Sequence, residues 1–269
     1  MKNILLIGGS THLGKEVVKS SNNNFYNLTY NFVFDEELVV NINSISNLIS
    51  KFDKNYFQDL IFIASIQNSK SKFLKGLWLN LFLPLVLLSK FKFKKIIFIN
   101  SYWVLLRSKK FDTYTTYKKL TNSIFNFFSF YSKYLYCSIY LGDLYYEQDD
   151  RDKLHTYLKF NELNSEVNLN SNKDKLIYPV SSKLVTSFIT KFINNDFFIP
   201  SNNIRINAFE NKITLVDYIS LFKKARHVKF NTIFNEFEKI ESPKKIIFDF
   251  YLKDFKFEQN LINYFSSLK

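Results

Sequence analysis

A short apolar run that meets glycines and passes straight into a helix leaves a chain few folds to choose from. Lys2-Asn3-Ile4-Leu5-Leu6-Ile7 reads as a buried β-strand, and Gly8-Gly9-Ser10-Thr11-His12-Leu13-Gly14-Lys15 turns it into a helix with Leu13, Val17 and Val18 on one face. That order aims backbone N–H groups and the positive helix end at an anion, most often the pyrophosphate of a dinucleotide, with Gly8 to Gly14 beneath it. The middle glycine of the usual three is missing: Thr11 or, with a longer first gap, His12 stands in its place. An ordinary strand–helix turn looks the same over so short a stretch, and the two readings separate only further along the chain.

Asn22-Asn23-Asn24 makes a turn, and residues 25–34 contain a second strand. In dinucleotide folds an acidic residue about 20 positions past the glycines takes the ribose hydroxyls; Asp35, with no arginine nearby, favours NAD over NADP. Residues 38–42 form a short third strand containing Asn41, and Ser44 caps a helix with Ile45, Leu48, Ile49 and Phe52 at helical period. Residues 60–65 make a buried fourth strand whose small last residues, Ala64 and Ser65, let a ligand lie across its end. A helix over 71–90 and a fifth strand over 94–101 follow. This alternation predicts an α/β chain with a Rossmann-type doubly wound parallel sheet. Its ligand crevice lies beyond the carboxyl ends of the strands, where Ser101 falls.

Tyr114-Thr115-Thr116-Tyr117-Lys118 opens the next helix, which continues through Leu120, Ile124, Phe127 and Phe128. Tyr114 and Lys118 are four apart and share one helix face. A lysine beside a phenol lowers the phenol's pKa from about 10 and makes it a usable acid or base near neutral pH. With 17 tyrosines in a lysine-rich chain the spacing also arises by chance, so its weight comes from its place after Ser101.

Composition narrows the function classes. A chain of 269 residues, 46% of them hydrophobic, buries a large core, as one domain or a domain with a smaller lobe. The single cysteine, Cys137, allows no internal disulfide and no thiolate pair for zinc, which fits a reducing cytoplasm. His12, His155 and His227 form no ligand motif, and no metal is expected. No secretory signal is expected at the start. The longest apolar run, residues 76–88, contains Asn80 and Pro84 and falls short of the about 20 residues of a membrane span, so it reads as a core or interface helix. The net charge of +13 comes mostly from dispersed lysines, which read as a solvated surface rather than a nucleic-acid stripe, and which would attract anionic substrates.

The order of these features resembles the short-chain dehydrogenase/reductase superfamily, in particular its extended branch of nucleotide-sugar epimerases, dehydratases and reductases. On that resemblance Gly8–Gly14 is the cofactor loop, Asn41 contacts the adenine, and Ala64-Ser65 ends strand four. Asn80 holds a water in a proton relay, Ser101 is the catalytic serine, and Tyr114 with Lys118 is the Tyr-x-x-x-Lys pair. Tyr140-Leu141-Gly142-Asp143-Leu144-Tyr145 resembles the turn that meets the nicotinamide, through Leu141. Residues 177–185, then Arg205-Ile206-Asn207-Ala208-Phe209 and the Thr-capped helix from Thr214, resemble later segments of the extended branch. Asn100 in place of a second serine, and the bulky Tyr102-Trp103, depart from the pattern.

The resemblance implies an NAD- or NADP-dependent enzyme acting on a nucleotide sugar. Tyr114 would exchange a proton with the substrate, Ser101 would hold its oxygen, and Lys118 would lower the tyrosine pKa. Tyr102-Trp103 stands where dehydratases carry an Asp-Glu pair, which leaves a reductase or an epimerase. The alternative is a catalytically degenerate member that binds a dinucleotide as a regulatory or scaffolding protein. Residues 1–146 would form the dinucleotide-binding domain and 147–269 a substrate lobe that partly completes the sheet, with a strand in 244–251 and a final helix near 255–268. The two apolar helices at 76–88 and 120–130 would pair with their copies in a homodimer.

Overall fold

The computed structural model describes residues 1–29, 39–64, 73–106, 113–146, 154–195, 201–234 and 247–268; Asp35 and Ser65 lie outside them. From β1 (Asn3–Ile7) the chain runs through α1 (His12–Lys19), β2 (Asn24–Leu28), β3 (Val39–Ile42), α2 (Ile45–Lys51) and β4 (Asp59–Phe62). α3 (Phe73–Leu77) and α4 (Leu83–Lys90) form one helix interrupted by a π turn over Trp78–Phe82. β5 (Lys95–Ser101), a 3₁₀ turn over Tyr102–Leu105, α5 (Thr113–Ser132) and β6 (Leu135–Leu141) follow. The last part holds β7 (Asp143–Tyr145), α6 (Leu154–Phe160), β8 (Glu166–Leu169), β9 (Leu176–Ile177), β10 (Pro179–Ser181) and α7 (Ser182–Asn194). It continues with β11 (Asn203–Ala208), β12 (Ile213–Thr214), α8 (Leu215–Arg226), β13 (Asn231–Phe234), β14 (Phe250–Tyr251) and α9 (Phe257–Ser267).

Period-two alternation builds the layers: Ile4 and Leu6 face one side of the sheet, Leu5 and Ile7 the other, all buried. The central sheet has eight strands in the order β14-β11-β6-β5-β4-β1-β2-β3, every pair parallel. Buried strands with both faces covered need near-continuous apolar sequence, and β4 and β5 supply it. α1 and α7 cover one face through Val17, Val18, Val185 and Phe188; α4 and α5 cover the other through Leu83, Leu87 and Phe125. The order reverses beside β1, between β2 and β4, which is the topological switch point where an open α/β sheet binds its ligand.

The carboxyl-terminal third both extends the sheet, through β11 and β14, and makes a lobe with its own core of Leu158, Ile219, Phe222, Leu261 and Phe265. Of the strand expected within 244–251, residues 247–249 are described and are not strand, and Phe250–Tyr251 form the short β14. By length and composition alone the helix Phe73–Lys90 is apolar enough to cross a membrane. Its Asn80 is buried inside the protein and hydrogen-bonded to α5.

α5 is turned differently from its apolar pattern. Its apolar residues Leu120, Ile124, Phe127 and Phe128 are not the buried ones: Tyr117, Lys118, Thr121, Phe125 and Ser129 are, and Phe127, Phe130 and Tyr131 are exposed. A helix that is apolar on two sides has no single face that its sequence singles out, and packing on the sheet made the choice.

Candidate active site

The glycine turn sits at the switch point. Ile63 and Ala64 both donate their N–H to the carbonyl of Ile7, at 2.8 and 3.1 Å, which draws the ends of β1 and β4 together. Gly8 has φ +96°, and a Cβ there would lie 2.6 Å from the Ala64 nitrogen; a Cβ on Gly14 would lie 2.7 Å from the Gly8 oxygen. Both positions therefore require glycine. Gly9 is buried and Ser10 exposed.

Thr11, where a third glycine was expected, is the N-cap of α1. Its hydroxyl donates to the Gly8 oxygen at 2.7 Å and accepts from the Gly14 N–H at 3.1 Å, so the side chain folds back into the turn. The next two residues, His12 and Leu13, begin the helix, whose first N–H groups have no carbonyl partner within the helix. His12 lays its ring flat on Tyr146, with centroids 3.3 Å apart and planes 11° apart, and its Nε2 is 3.4 Å from Glu16 Oε1.

On the far side of β1, Asn41 lies within β3 opposite Asn27, whose Nδ2 donates to Asn41 Oδ1 at 3.3 Å. Asn41 is thus part of the strand's ladder, within the strand expected at residues 38–42.

Ser101 and Leu141 end their strands side by side, in register across β5 and β6. The Ser101 hydroxyl accepts from the Trp103 N–H at 3.3 Å, starting the 3₁₀ turn, and its own N–H is held by Asn100 Oδ1 at 2.9 Å. Tyr114 is half-buried in the first turn of α5, with Lys118 one turn later. Lys118 is only 2% exposed. Its Nζ donates to the Ile99 carbonyl, two residues before Ser101, at 2.6 Å and lies 4.9 Å from the centre of the Phe98 ring. Burial pushes its ammonium down to about 7. Tyr117, the other tyrosine of the motif, donates its hydroxyl to the Phe73 carbonyl at 3.0 Å and presses on Gly76, where a Cβ would meet the ring. Tyr117 therefore anchors α3, while Tyr114 shares the Lys118 face. Asn80, inside the π turn, donates to the Gly76 carbonyl at 2.8 Å, and its own carbonyl accepts from the Thr121 hydroxyl at 2.7 Å.

Sequence reasoning passed over the network that steadies these groups. Asn122 Oδ1 accepts from the hydroxyls of Tyr136 and Ser138, at 2.9 and 2.8 Å, and from Asn100 Nδ2 at 3.3 Å. Asn126 Oδ1 takes an amide N–H from Asn203 of β11. Tyr114, Lys118, Asn122 and Asn126 recur every four residues, a polar ridge whose last three members bind β5, β6 and β11 in turn. That period was the available signal.

Beyond Ser101 the crevice opens towards the lobe. Tyr102 is buried among Tyr178 and Phe209 and donates its hydroxyl to Asp143 Oδ2 at 3.4 Å; the same oxygen accepts the Tyr178 N–H at 3.0 Å. Burial, then the neighbouring carboxylate, raise the Tyr102 phenol far above its ordinary value. Tyr102 and Trp103 wall a cavity of about 300 Å³ that reaches His155, Ser171, Lys175 and Tyr218 in the lobe. It is large enough for part of a nucleotide-sized ligand.

The residues present fit a dinucleotide. The turn has its two indispensable glycines against a helix start, and Lys118 is a buried cation with three donors whose described contacts are one carbonyl and one ring face. Such a group keeps donor capacity for a hydroxyl laid against it.

No family model and no curated protein matches the sequence. Solved structures do. A UDP-N-acetylglucosamine 4-epimerase from Methanobrevibacter ruminantium, in complex with UDP-N-acetylmuramic acid, superposes with a TM-score of 0.77 at 14% identity, over 99% of this chain and 97% of that one. A UDP-glucuronic acid 4-epimerase from Bacillus cereus, in complex with UDP-glucuronic acid and NAD, gives 0.69 at 14% identity over 97% and 93%. RMD from Pseudomonas aeruginosa, complexed with NADPH, gives 0.69 at 10% identity over 99% and 96%. The chain shares the fold of these proteins along its whole length.

Proposed function

We propose that the protein binds a nicotinamide dinucleotide across the carboxyl edge of its sheet and acts on a nucleotide-activated sugar, as an epimerase or a reductase. The observation that carries this reading is Lys118: a buried cation one turn after Tyr114, tied to the strand that ends in Ser101. Apolar packing offers no reason to bury an ammonium there at such cost. The bound nicotinamide supplies hydride transfer. Tyr114 takes or returns the proton of the sugar hydroxyl, and Lys118, when charged, stabilises the tyrosinate. Ser101 already accepts from Trp103, which leaves its O–H to hold the substrate oxygen. The Asn80 carbonyl keeps a lone pair beside its Thr121 bond for a relay water. The neighbours' nucleotide-sugar and dinucleotide ligands support the same substrate classes.

Thermal unfolding with NAD, NADP and a panel of nucleotide sugars tests this, since a ligand that binds only the native state raises the midpoint. A protein stabilised by neither dinucleotide is not this enzyme. NAD is preferred on Asp35, and a reducing cytoplasm suits the buried thiol of Cys137. A second reading is a dinucleotide-binding protein without turnover. It is favoured by Thr11, whose hydroxyl already occupies the Gly14 N–H at the helix start. Bound cofactor with neither an epimerised nor a reduced sugar formed from any member of the panel would select it.

The homodimer belongs to this proposal. Leu74, Trp78 and Phe82 on the interrupted helix, and Phe127, Phe130 and Tyr131 on α5, are exposed on two helices packed against each other. A second copy would cover them.

A further inference from the structure

We propose that Tyr146 belongs to the cofactor site: with His12 it forms a clamp beside the pyrophosphate turn that holds the dinucleotide in the protein between turnovers. This rests on the dinucleotide reading above and assigns a residue that no motif marks. His12 is the first residue of α1, next to the turn where the pyrophosphate would lie. Its ring is fixed from both sides. Tyr146, directly after β7, covers one face of the imidazole in a parallel stack, and Glu16 takes its Nε2 at 3.4 Å. Glu16 is itself held by the hydroxyls of Ser182 and Thr186 on α7, at 2.8 and 3.3 Å. Tyr146 is only 7% exposed, and β7 is pinned by pairing with β10, the strand that leads into α7. The stack therefore joins the turn to the segment that runs on from β6, and on this proposal its two rings close one side of the crevice. A dinucleotide leaving past that side must separate them.

Retention has a chemical consequence. An epimerase takes a hydride from a sugar carbon and a proton from its hydroxyl and returns both to the same sugar, so its dinucleotide ends each turnover as it began. A reductase consumes one reduced dinucleotide per turnover and must release the oxidised form. A clamp at the pyrophosphate suits the first.

The test is the dissociation rate of bound NADH, followed by its fluorescence when chased with excess NAD. It uses the full chain as wild type, His12→Ala, Tyr146→Ala and Tyr146→Phe. Loss of one aromatic stack should speed release about tenfold in both alanine variants, with the phenylalanine variant close to wild type. If Tyr146→Ala does not fold, His12→Ala carries the comparison. Equal rates in all the proteins overturn the clamp and leave the dinucleotide reading standing. A wild type that binds no dinucleotide while His12→Ala binds it overturns the clamp by making the pair a barrier. Failure of every variant to bind any nicotinamide dinucleotide overturns the reading and the clamp together.

Discussion

α1 and α5 both begin at the carboxyl edge of the sheet and present their first turns to the same crevice, but they are built in opposite ways. α1 buries Leu13, Val17 and Val18 and offers the crevice backbone groups, which need glycines and little else. α5 buries Tyr117, Lys118, Thr121 and Ser129 around one fully buried phenylalanine, Phe125, and exposes Phe127 and Phe130. A site made by backbone is compatible with an ordinary apolar helix face. A site made by side chains asks the helix to bury polar groups, each of which must be paired, and displaces apolar residues outward, where they need another cover.

Four experiments probe that contrast. Tyr114→Phe removes the proposed proton carrier from the α5 side and should lower turnover about 10²–10⁴-fold with dinucleotide affinity unchanged, measured by kcat beside a binding titration. On the α1 side, Gly8→Val forces a branched residue to φ +96° and into the Ala64 backbone. Urea unfolding should show a loss of about 2–3 kcal/mol, with dinucleotide binding lost.

Lys118→Met should have the reverse sign on stability. Burial pushes the folded ammonium from the ordinary 10.5 down to about 7, so between those values the unfolded chain holds a proton that the folded one has released. Stability then rises with pH across that window, and the cost of the buried charge is complete below it. Without ligand the methionine variant should gain about 1–2 kcal/mol at pH 6 and progressively less towards pH 10, read from urea midpoints, while losing dinucleotide affinity. Phe127→Ser with Phe130→Ser should change the monomer's stability by no more than about 0.5 kcal/mol, since both side chains are exposed. On the proposed homodimer, sedimentation velocity should show the wild type as a dimer and this variant as a monomer.

Much of the architecture was legible because it is written locally. The strand–glycine–helix start was readable from residue types in sequence order, as were the caps at Ser44 and Thr214, each accepting an N–H three residues on. Asn100 was harder: it looked like a departure at the site, and its role of holding the Ser101 N–H and linking to Asn122 depends on residues from three elements. Asn122 and Asn126 continue the Tyr114–Lys118 period, yet an asparagine on a helix is by itself no sign of a buried network. Tyr146 carried no local signal at all, since its partner is His12, far earlier in the chain.

The amino-acid sequence by itself determined the succession of strands and helices, the two glycines at the switch point, and the order Ser101, Tyr114, Lys118. Backbone propensity, capping and apolar period act over a few residues, and a chain carries them wherever it folds. Only the tertiary structure decided which side of α5 meets the sheet and that His12 lies under Tyr146. Burial and stacking depend on what the opposite element presents, and that is settled when distant segments pack together.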